Sequence, residues 1–133
     1  MQAHYTAIYG GPDTSPMEAD DFAPPRGDFV VLEVGEVAVA MGGWRRGGPE
    51  PGDAENKRMF VRESHRGRGH ARAVLTWIED SAREAGVTRL VLETGEAQPE
   101  AIALYRSSGY TRIPAFGYYG NEERSAHLAK HLT

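Results

Sequence analysis

The residues best suited to chemistry form an arginine- and glycine-rich turn between a strand and a helix. A short run of strand-forming residues ends at Val61, and residues with helical spacing begin at about Ala71. The turn between them reads Arg66-Gly67-Arg68-Gly69-His70. Backbone N–H groups that follow a strand and open a helix converge on one spot, and the helix dipole adds positive potential there. The turn therefore predicts a binding site for a phosphate group.

Positive charge is concentrated at this turn, although the chain as a whole is acidic. The formal net charge is −4, yet six basic side chains crowd the segment: Arg62, His65, Arg66, Arg68, His70 and Arg72. Domains that bind nucleic acid are usually basic overall. The distribution favours a small polyphosphate ligand, and we do not expect nucleic acid to be a partner. An ordinary solvated basic surface is the simpler alternative.

Two other phosphate-binding motifs fit the turn less well. In the dinucleotide-binding fingerprint the third glycine would fall on Arg72, and 133 residues are too few for two mononucleotide-binding halves. A Walker A loop requires the sequence Gly-Lys-Ser/Thr, which the chain lacks. Neither motif is therefore predicted.

The elements that must position the turn alternate between strands and helices within a single domain, residues 1–133. The predicted strands cover residues 28–34, 37–44, 55–61, 89–94, 111–113 and 125–132, and the predicted helices cover residues 71–85 and 99–108. A helical crossover between two of these strands implies that the strands ending near Val61 and Thr94 are parallel neighbours. Residues 1–27 are predicted to be irregular, apart from a short helical stretch over residues 2–9.

Several classes of site are absent from the sequence. The chain contains no cysteine, which excludes disulfides, thiolate metal ligands and a cysteine nucleophile. No apolar run is long enough to span a membrane, and residues 1–5 lack the features of a secretory signal, so we expect a cytoplasmic protein without a membrane partner. His127 and His131 have the spacing of a helical metal pair, but they fall in a predicted strand without a third ligand. No metal is predicted.

Two motifs resemble those of a known superfamily. Residues Arg66 to Ala71 have the form Arg-x-x-Gly-x-Ala, which resembles the pyrophosphate-binding signature of the GNAT superfamily of acyl-CoA N-acyltransferases. The segments that resemble the second GNAT motif are Leu92-Glu93-Thr94-Gly95, Gln98-Pro99-Glu100-Ala101, Leu104-Tyr105 and Gly109-Tyr110. By pattern, the resemblance extends over residues 28 to 132.

The resemblance implies a mixed α/β fold in which two parallel strands splay apart around the pantetheine arm of acetyl-CoA. Backbone groups of residues 60–62 would bond the arm, with the N–H of Val61 meeting the acetyl carbonyl, and the amides of residues 67–71 would hold the pyrophosphate. Gln98 stands where the family usually has asparagine. The cofactor-binding residues that follow from the resemblance are Phe60, Val61, Arg62, Arg66, Gly67, Arg68, Gly69, His70, Ala71 and Gln98.

Tyr105 occupies the position where the family places a general acid. Thiols have a pKa of about 8.5 and phenols of about 10, so a phenol can protonate the departing CoA thiolate; a purely positioning role is the alternative. Glu55 lies six residues before Val61, where some family members carry a general base that often acts through water. It is equally consistent with an exposed carboxylate at a loop end, and Glu93 is a competing base or a structural residue.

The N-terminal part departs from the family pattern. GNAT domains normally begin with a strand and two helices before the first hairpin, whereas only 28 residues precede Phe29 here. The resemblance therefore predicts a fold that lacks the first strand and helix, with an open sheet edge and an incomplete wall around the acceptor. A second subunit, as in a homodimer, is one way to cover that gap. The aromatic loop at 116–120 is predicted to wall the acceptor pocket together with Phe22 and Trp44, unless these residues are ordinary packing.

The activity implied by the resemblance is an N-acetyltransferase. It would move an acetyl group from acetyl-CoA to a primary amine of a small molecule by direct attack in a ternary complex, and the absence of cysteine agrees with direct transfer. Two alternatives stay open: a protein lysine or N-terminal acetyltransferase, and a non-catalytic acyl-CoA-binding module.

Overall fold

The strands and helices of this protein follow the alternation in its sequence closely. The computed structural model describes residues 3–7, 19–95, 98–116 and 125–133. The strands are β1 (Ala3–Ala7), β2 (Gly27–Val34), β3 (Val37–Arg46), β4 (Asp53–Val61), β5 (Arg89–Gly95), β6 (Thr111–Arg112) and β7 (Ser125–His131). The helices are α1 (His70–Glu84) and α2 (Pro99–Ser107), with short 3₁₀ turns at Ala19–Phe22 and Glu63–His65. The predicted mixed α/β class is confirmed.

The described strands form one seven-stranded sheet in the order β1-β2-β3-β4-β5-β7-β6. Neighbouring strands are antiparallel except for β4 and β5, which are parallel and joined by the α1 crossover. A parallel pair requires such a crossover, because the chain must return to the same end of the sheet. The predicted parallel neighbours are therefore confirmed.

The β4–β5 pair separates after only three residue pairs. The strands are in register from Asp53 opposite Arg89 to Glu55 opposite Val91. Beyond this point β4 continues to Val61 and β5 to Gly95, but the two strands no longer pair with each other. We call this divergence the fork.

A bulge in β4 explains why the strands diverge. The register between β3 and β4 shifts between Met41 and Gly43, so that one extra residue lies in β4. Arg58 lies at that point with a φ of +63°, which is unusual for a residue other than glycine. A bulge bends a strand and increases its twist, and here it separates the end of β4 from β5.

Helix α1 packs its apolar stripe on one face of the sheet. Val74, Leu75, Ile78 and Ala82 are buried, as the helical spacing predicts. Gly42 in β3 permits the close approach, since a Cβ at that position would lie 2.8 Å from Met59 Cγ and 3.0 Å from Ile78 Cδ1.

Polar contacts fix α2 and β7 beside α1. The Arg72 guanidinium donates to the hydroxyls of Ser107 and Ser108 at 2.7 and 3.1 Å. The Tyr110 hydroxyl donates to Glu79 at 2.8 Å, and Lys130 donates to the same carboxylate at 3.1 Å. The guanidinium of Arg72 is therefore directed to the end of α2, whereas the sequence placed it with the basic cluster of the glycine turn.

Two predictions for the N-terminal region are wrong. Residues 3–7 form strand β1 rather than a helix, and β1 pairs with β2 from Ala3 opposite Val34 to Ala7 opposite Val30. The first strand is therefore present, and it covers the edge of β2 that was expected to be open. Of the aromatic loop, only Phe116 lies within the described residues. No helix among the described segments is long and apolar enough to cross a membrane.

Candidate active site

A cleft of about 790 Å³ occupies the fork and runs between the glycine turn and α2. Its lining residues are Met59, Phe60, Val61, Arg66, Gly67, Gly69, Ala71, Gln98, Pro99, Glu100, Ala101, Leu104 and Tyr105. The cleft thus brings together eight of the residues singled out in the sequence: Phe60, Val61, Arg66, Gly67, Gly69, Ala71, Gln98 and Tyr105. Arg62, Arg68, His70 and Glu55 are not among those that line it.

The glycine turn presents open space to the cleft. Gly67 and Gly69 have φ values of +77° and +82°, in the left-handed region that glycine adopts most readily. A Cβ added at either position would meet no atom within 4 Å. The backbone can therefore be approached closely by a ligand from this side.

The N-terminus of α1 supplies donors beside that space. Gly69 is the N-cap residue, and no side chain caps the helix. The first backbone bond of the helix runs from the N–H of Ala73 to Gly69, which leaves the N–H groups of His70, Ala71 and Arg72 without intrahelical acceptors. With the positive end of the helix dipole, these groups suit a phosphate anion.

Basic side chains surround the turn unequally. Arg66 lines the cleft, and its Nε donates to the carbonyl of Val61 at 3.3 Å. Arg68 is exposed. Desolvation, followed by the positive charges of Arg68, His70 and Arg62, lowers the pKa of His65 below its ordinary value. Positive charge near the turn is therefore a secondary cause of the lowered pKa, after desolvation.

The backbone of Val61 faces the fork. The N–H of the next residue, Arg62, donates to the carbonyl of Val39 in β3 at 2.7 Å. Successive residues of a strand direct their backbone groups to opposite sides, so the N–H of Val61 points away from β3 and into the fork. Both backbone groups of Arg62 have partners within the protein, since its N–H bonds Val39 and its carbonyl accepts from the N–H of His65 at 2.9 Å.

Tyr105 stands at the inner end of the cleft. The side chain is 8% exposed, and its ring packs edge-on against Tyr110 at 5.6 Å between centroids. Its hydroxyl donates to Met59 Sδ at 3.5 Å. Burial raises the pKa of Tyr105 to about 12, and a hydrogen-bonding interaction with the Asn56 side chain offsets part of that rise. The phenol is therefore protonated at neutral pH, as a general acid must be.

Asn56 is a site residue that the sequence reasoning missed. It is 6% exposed in β4, and its Nδ2 donates to Met59 Sδ at 3.2 Å. Its Oδ1 is buried and has no hydrogen-bond partner. A polar residue within a strand carries no local signal that it will be buried, so only the packing of α2 over β4 reveals this position.

The two candidate bases lie on the other face of the sheet. Glu55 precedes Asn56, so its side chain points to the opposite face, where it pairs with Arg45 at 3.7 Å and with Lys57 at 3.3 Å. Glu93 is in register with His127 of β7. These carboxylates are therefore separated by the sheet from the phenol of Tyr105.

His127 lies among the residues of that second face. Its ring is 4% exposed and packs edge-on against Phe116 at 4.9 Å between centroids, and its Nε2 has no hydrogen-bond partner. His131 lies on the same strand but is exposed. Within the described ranges, no group of three potential ligands is close enough together to hold a metal ion.

Gln98 lies at the start of α2, as predicted. It is the N-cap residue, its N–H donates to the carbonyl of Gly95 at 3.1 Å, and its side chain makes no capping bond. Gln98 is exposed and lines the cleft, as does Phe60, which is 53% exposed. A polar amide and an exposed phenylalanine in one cleft suit an elongated ligand of mixed polarity.

Comparisons with known sequences agree with this geometry. A sequence profile of the Acetyltransferase (GNAT) family matches residues 1–110. An Azospirillum brasilense protein named IAA acetyltransferase is 46% identical over 111 residues, which are 84% of this chain and 67% of that protein. The chain also matches mammalian N-acetyltransferases of family 8, of whose length it spans less than half.

Solved structures share the fold. A Klebsiella pneumoniae protein assigned as an acyl-CoA N-acyltransferase has a TM-score of 0.85 and 26% identity, and the match covers 98% of both chains. The PaiA N-acetyltransferase of Thermoplasma acidophilum, solved in complex with coenzyme A, has a TM-score of 0.66 and 12% identity over 77% of this chain and 59% of that one. At this identity the second match concerns the fold alone.

Proposed function

This chain belongs to the GNAT family of acetyltransferases, and we propose that it transfers an acetyl group from acetyl-CoA to a primary amine of a small molecule by direct attack in a ternary complex. The observation that carries the proposal is the convergence of three features in one cleft. They are the open N-terminus of α1, the Val61 N–H directed into the fork and the buried phenol of Tyr105.

The cleft residues fit acetyl-CoA as a co-substrate. The turn at 67–71 would hold the pyrophosphate, since it combines left-handed glycines, open space and unpaired helix N–H groups. Phe60 and the backbone of Val61 would contact the pantetheine arm, and Gln98 would bond it from the opposite wall. Arg66, which already reaches Val61, would add positive charge near the phosphates.

The chemistry that follows assigns one task to each group. The lone pair of the amine forms a bond to the acetyl carbon, and the bond from that carbon to sulfur breaks. The N–H of Val61 would stabilise the negative charge that develops on the carbonyl oxygen. Tyr105 would donate its proton to the departing sulfur, and the amine would lose one proton to a base, so the products are an amide and free CoA thiol.

In this proposal the general base lies on the face of the sheet opposite Tyr105. An amine with a pKa of about 10 is mostly protonated near neutral pH and must lose a proton before it attacks. Glu55 at the base of the fork is our first candidate, acting through water, and Glu93 is the second. Asn56 and Tyr105 occupy the opposite face, so acid and base would flank the thioester from two sides.

The proposed acceptor is a primary amine of a small molecule. A protein lysine or N-terminal amine and a module that binds acyl-CoA without turnover are the alternatives. The name of the Azospirillum relative, IAA acetyltransferase, makes IAA a first compound to include in an acceptor panel. A cytoplasmic location and a homodimer remain predictions.

The test is acetyl-CoA binding by calorimetry followed by thiol release in the same preparation across a panel of amines, peptides and IAA. We expect binding, and turnover with at least one small amine. Binding with turnover only on peptides would favour the protein acetyltransferase, and binding without any turnover would favour the non-catalytic module. No binding would overturn the proposal.

The acid role is tested with a matched pair of tyrosine variants. Tyr105→Phe removes the hydroxyl in the cleft, whereas Tyr110→Phe removes a buried hydroxyl whose ring lies 5.6 Å away but which does not line the cleft. We expect Tyr105→Phe to lower kcat by about 10²-fold or more at unchanged acetyl-CoA affinity, and Tyr110→Phe to retain kcat in the folded protein. Equal kcat in both variants would refute the acid role.

A further inference from the structure

Asn56 is a buried amide whose hydrogen bonds are incomplete. Its Oδ1 has no partner, and its Nδ2 donates to a thioether sulfur, Met59 Sδ, at 3.2 Å. Thioethers are weak acceptors, and buried amide oxygens are nearly always paired. An unpaired polar atom on a residue that contacts Met59 of the cleft wall therefore calls for an explanation in terms of function.

The same sulfur atom also meets the phenol. The Tyr105 hydroxyl donates to Met59 Sδ at 3.5 Å, so the phenol and the Asn56 amide approach one atom from two sides. The Asn56 side chain also lowers the pKa of Tyr105 from the value that burial alone would give, so it favours the phenolate form. The O–H of Tyr105 therefore donates to a weak acceptor, and this hydrogen bond is lost at little cost when the proton is directed elsewhere.

The surroundings of Tyr105 create a difficulty for proton donation. The ring is buried against Tyr110, and Leu104 and Ala101 of α2 pack beside the same core. A phenol that gives its proton to a thiolate becomes a phenolate, and burial disfavours that charged form. An N–H donor directed at the phenolate oxygen would offset this penalty.

We propose that Asn56 is a positioning residue that holds the Tyr105 oxygen and stabilises its phenolate form through the Nδ2–H while the proton passes to the sulfur of CoA. This inference rests on the proposed acid role of Tyr105. No bond to Asn56 is made or broken in the step: the O–H bond of Tyr105 breaks, an S–H bond forms, and the negative charge moves from sulfur to the phenol oxygen.

The orientation of the amide supports this role. The amide directs its N–H side to Met59, which also accepts from Tyr105, and its oxygen is left unpaired. If stability alone determined this position, an apolar side chain of similar shape would serve better, because it leaves no unpaired buried oxygen. Retention of the amide at a cost in stability is typical of residues that serve catalysis.

The test is a double-mutant cycle with Asn56→Leu and Tyr105→Phe, in which kcat, the KM for acetyl-CoA and the midpoint of thermal unfolding are measured. Asn56→Leu should lower kcat about tenfold, change that KM less than twofold and leave the unfolding midpoint equal or higher. In the Tyr105→Phe background it should have no further effect on kcat, because Asn56 acts through the hydroxyl. Asn56→Ala, which removes the amide and leaves a small cavity, should give the same pattern in kcat and KM.

The outcomes distinguish the acid role of Tyr105 from the positioning role of Asn56. If Tyr105→Phe leaves kcat unchanged, the acid role itself is refuted. If Tyr105→Phe lowers kcat but the Asn56 variants do not, the positioning role is refuted while the acid role stands. The positioning role is also refuted if the two substitutions have multiplicative effects, or if the loss of kcat in both Asn56 variants is matched by a lower unfolding midpoint and a higher KM.

Discussion

Asp53 and Arg89 form a buried clamp at the closed end of the fork, and we predict that Asp53→Ala strongly destabilises the protein. The two residues face each other where β4 and β5 begin to pair, and the guanidinium bonds both carboxylate oxygens at 2.9 and 2.8 Å. The N–H of Glu50 donates to the same carboxylate at 2.9 Å. Asp53 is 4% exposed, so its removal leaves a largely buried guanidinium without its principal partner.

The expected loss is large compared with the total stability. Breaking a buried ion pair by removing one partner costs about 3–5 kcal/mol, against a total of about 5–15 kcal/mol for an average domain. The Glu50 carboxylate, 2.8 Å from Arg89, would retain some of the pairing, which favours the lower end of the range. A loss of about 3 kcal/mol corresponds to a fall of about 10 °C in Tm for a domain of this size.

Urea unfolding followed by circular dichroism is the appropriate assay, with Asp80→Ala as the control. Asp80 pairs with Arg83 at 2.9 Å on the exposed surface of α1, and such pairs contribute about 0–1 kcal/mol. A loss below about 1 kcal/mol for Asp53→Ala would show that the clamp contributes no more than a surface pair, and it would refute the reasoning from burial.

Three further predictions concern pH and the cleft. Burial alone would raise the pKa of Asp53, but its hydrogen bonds hold that pKa below the ordinary value. The stability that ionised Asp53 gives to the fold is therefore fully present above the pKa of the unfolded state, and it is lost as pH falls through the pKa of the folded state. Stability measured between about pH 5 and pH 2 should accordingly fall more steeply than in Asp53→Asn. Gly69→Val should weaken acetyl-CoA binding at least tenfold by calorimetry. Gly86→Val, also at positive φ but in the C-terminal turn of α1, should cost about 1–2 kcal/mol of stability, as Gly69→Val does, without affecting binding. Phe60→Ser should raise the Kd for acetyl-CoA about fivefold with little change in Tm, and Val37→Ser, at another exposed apolar position, should leave that Kd unchanged.

The elements with strong periodicity could be predicted from the sequence. The apolar stripe of α1, from Val74 to Ala82, specified the helix to within one residue at each end, since only a helix brings those positions to one face. The glycines at 67 and 69 marked a turn with left-handed backbone, and the structure has both at positive φ. These features depend on local sequence alone.

Features that depend on pairing between distant residues could not be predicted in the same way. Strand β1 has only five residues, and its pairing with β2 determines its conformation more than its own composition does. The side chain of Arg72 looked like part of the positive turn, but its direction depends on the serines at the end of α2. The unpaired oxygen of Asn56 depends on how α2 packs over β4.

The bulge at Arg58 determines what the fork can do chemically. Side chains alternate between faces along a strand, so a one-residue shift exchanges the faces of every later residue. Before the bulge, Asn56 faces α1 and Glu55 faces away. After the bulge, Met59 packs toward α1, whereas in a strand without a bulge the Met59 side chain would point to the other face. The same shift reverses the direction of the backbone groups that follow and turns the N–H of Val61 into the fork. The single extra residue in β4 therefore puts Asn56 and Met59 on the face that carries Tyr105 and directs the Val61 N–H into the fork, so one strand supplies both the surroundings of the proposed acid and the proposed oxyanion donor.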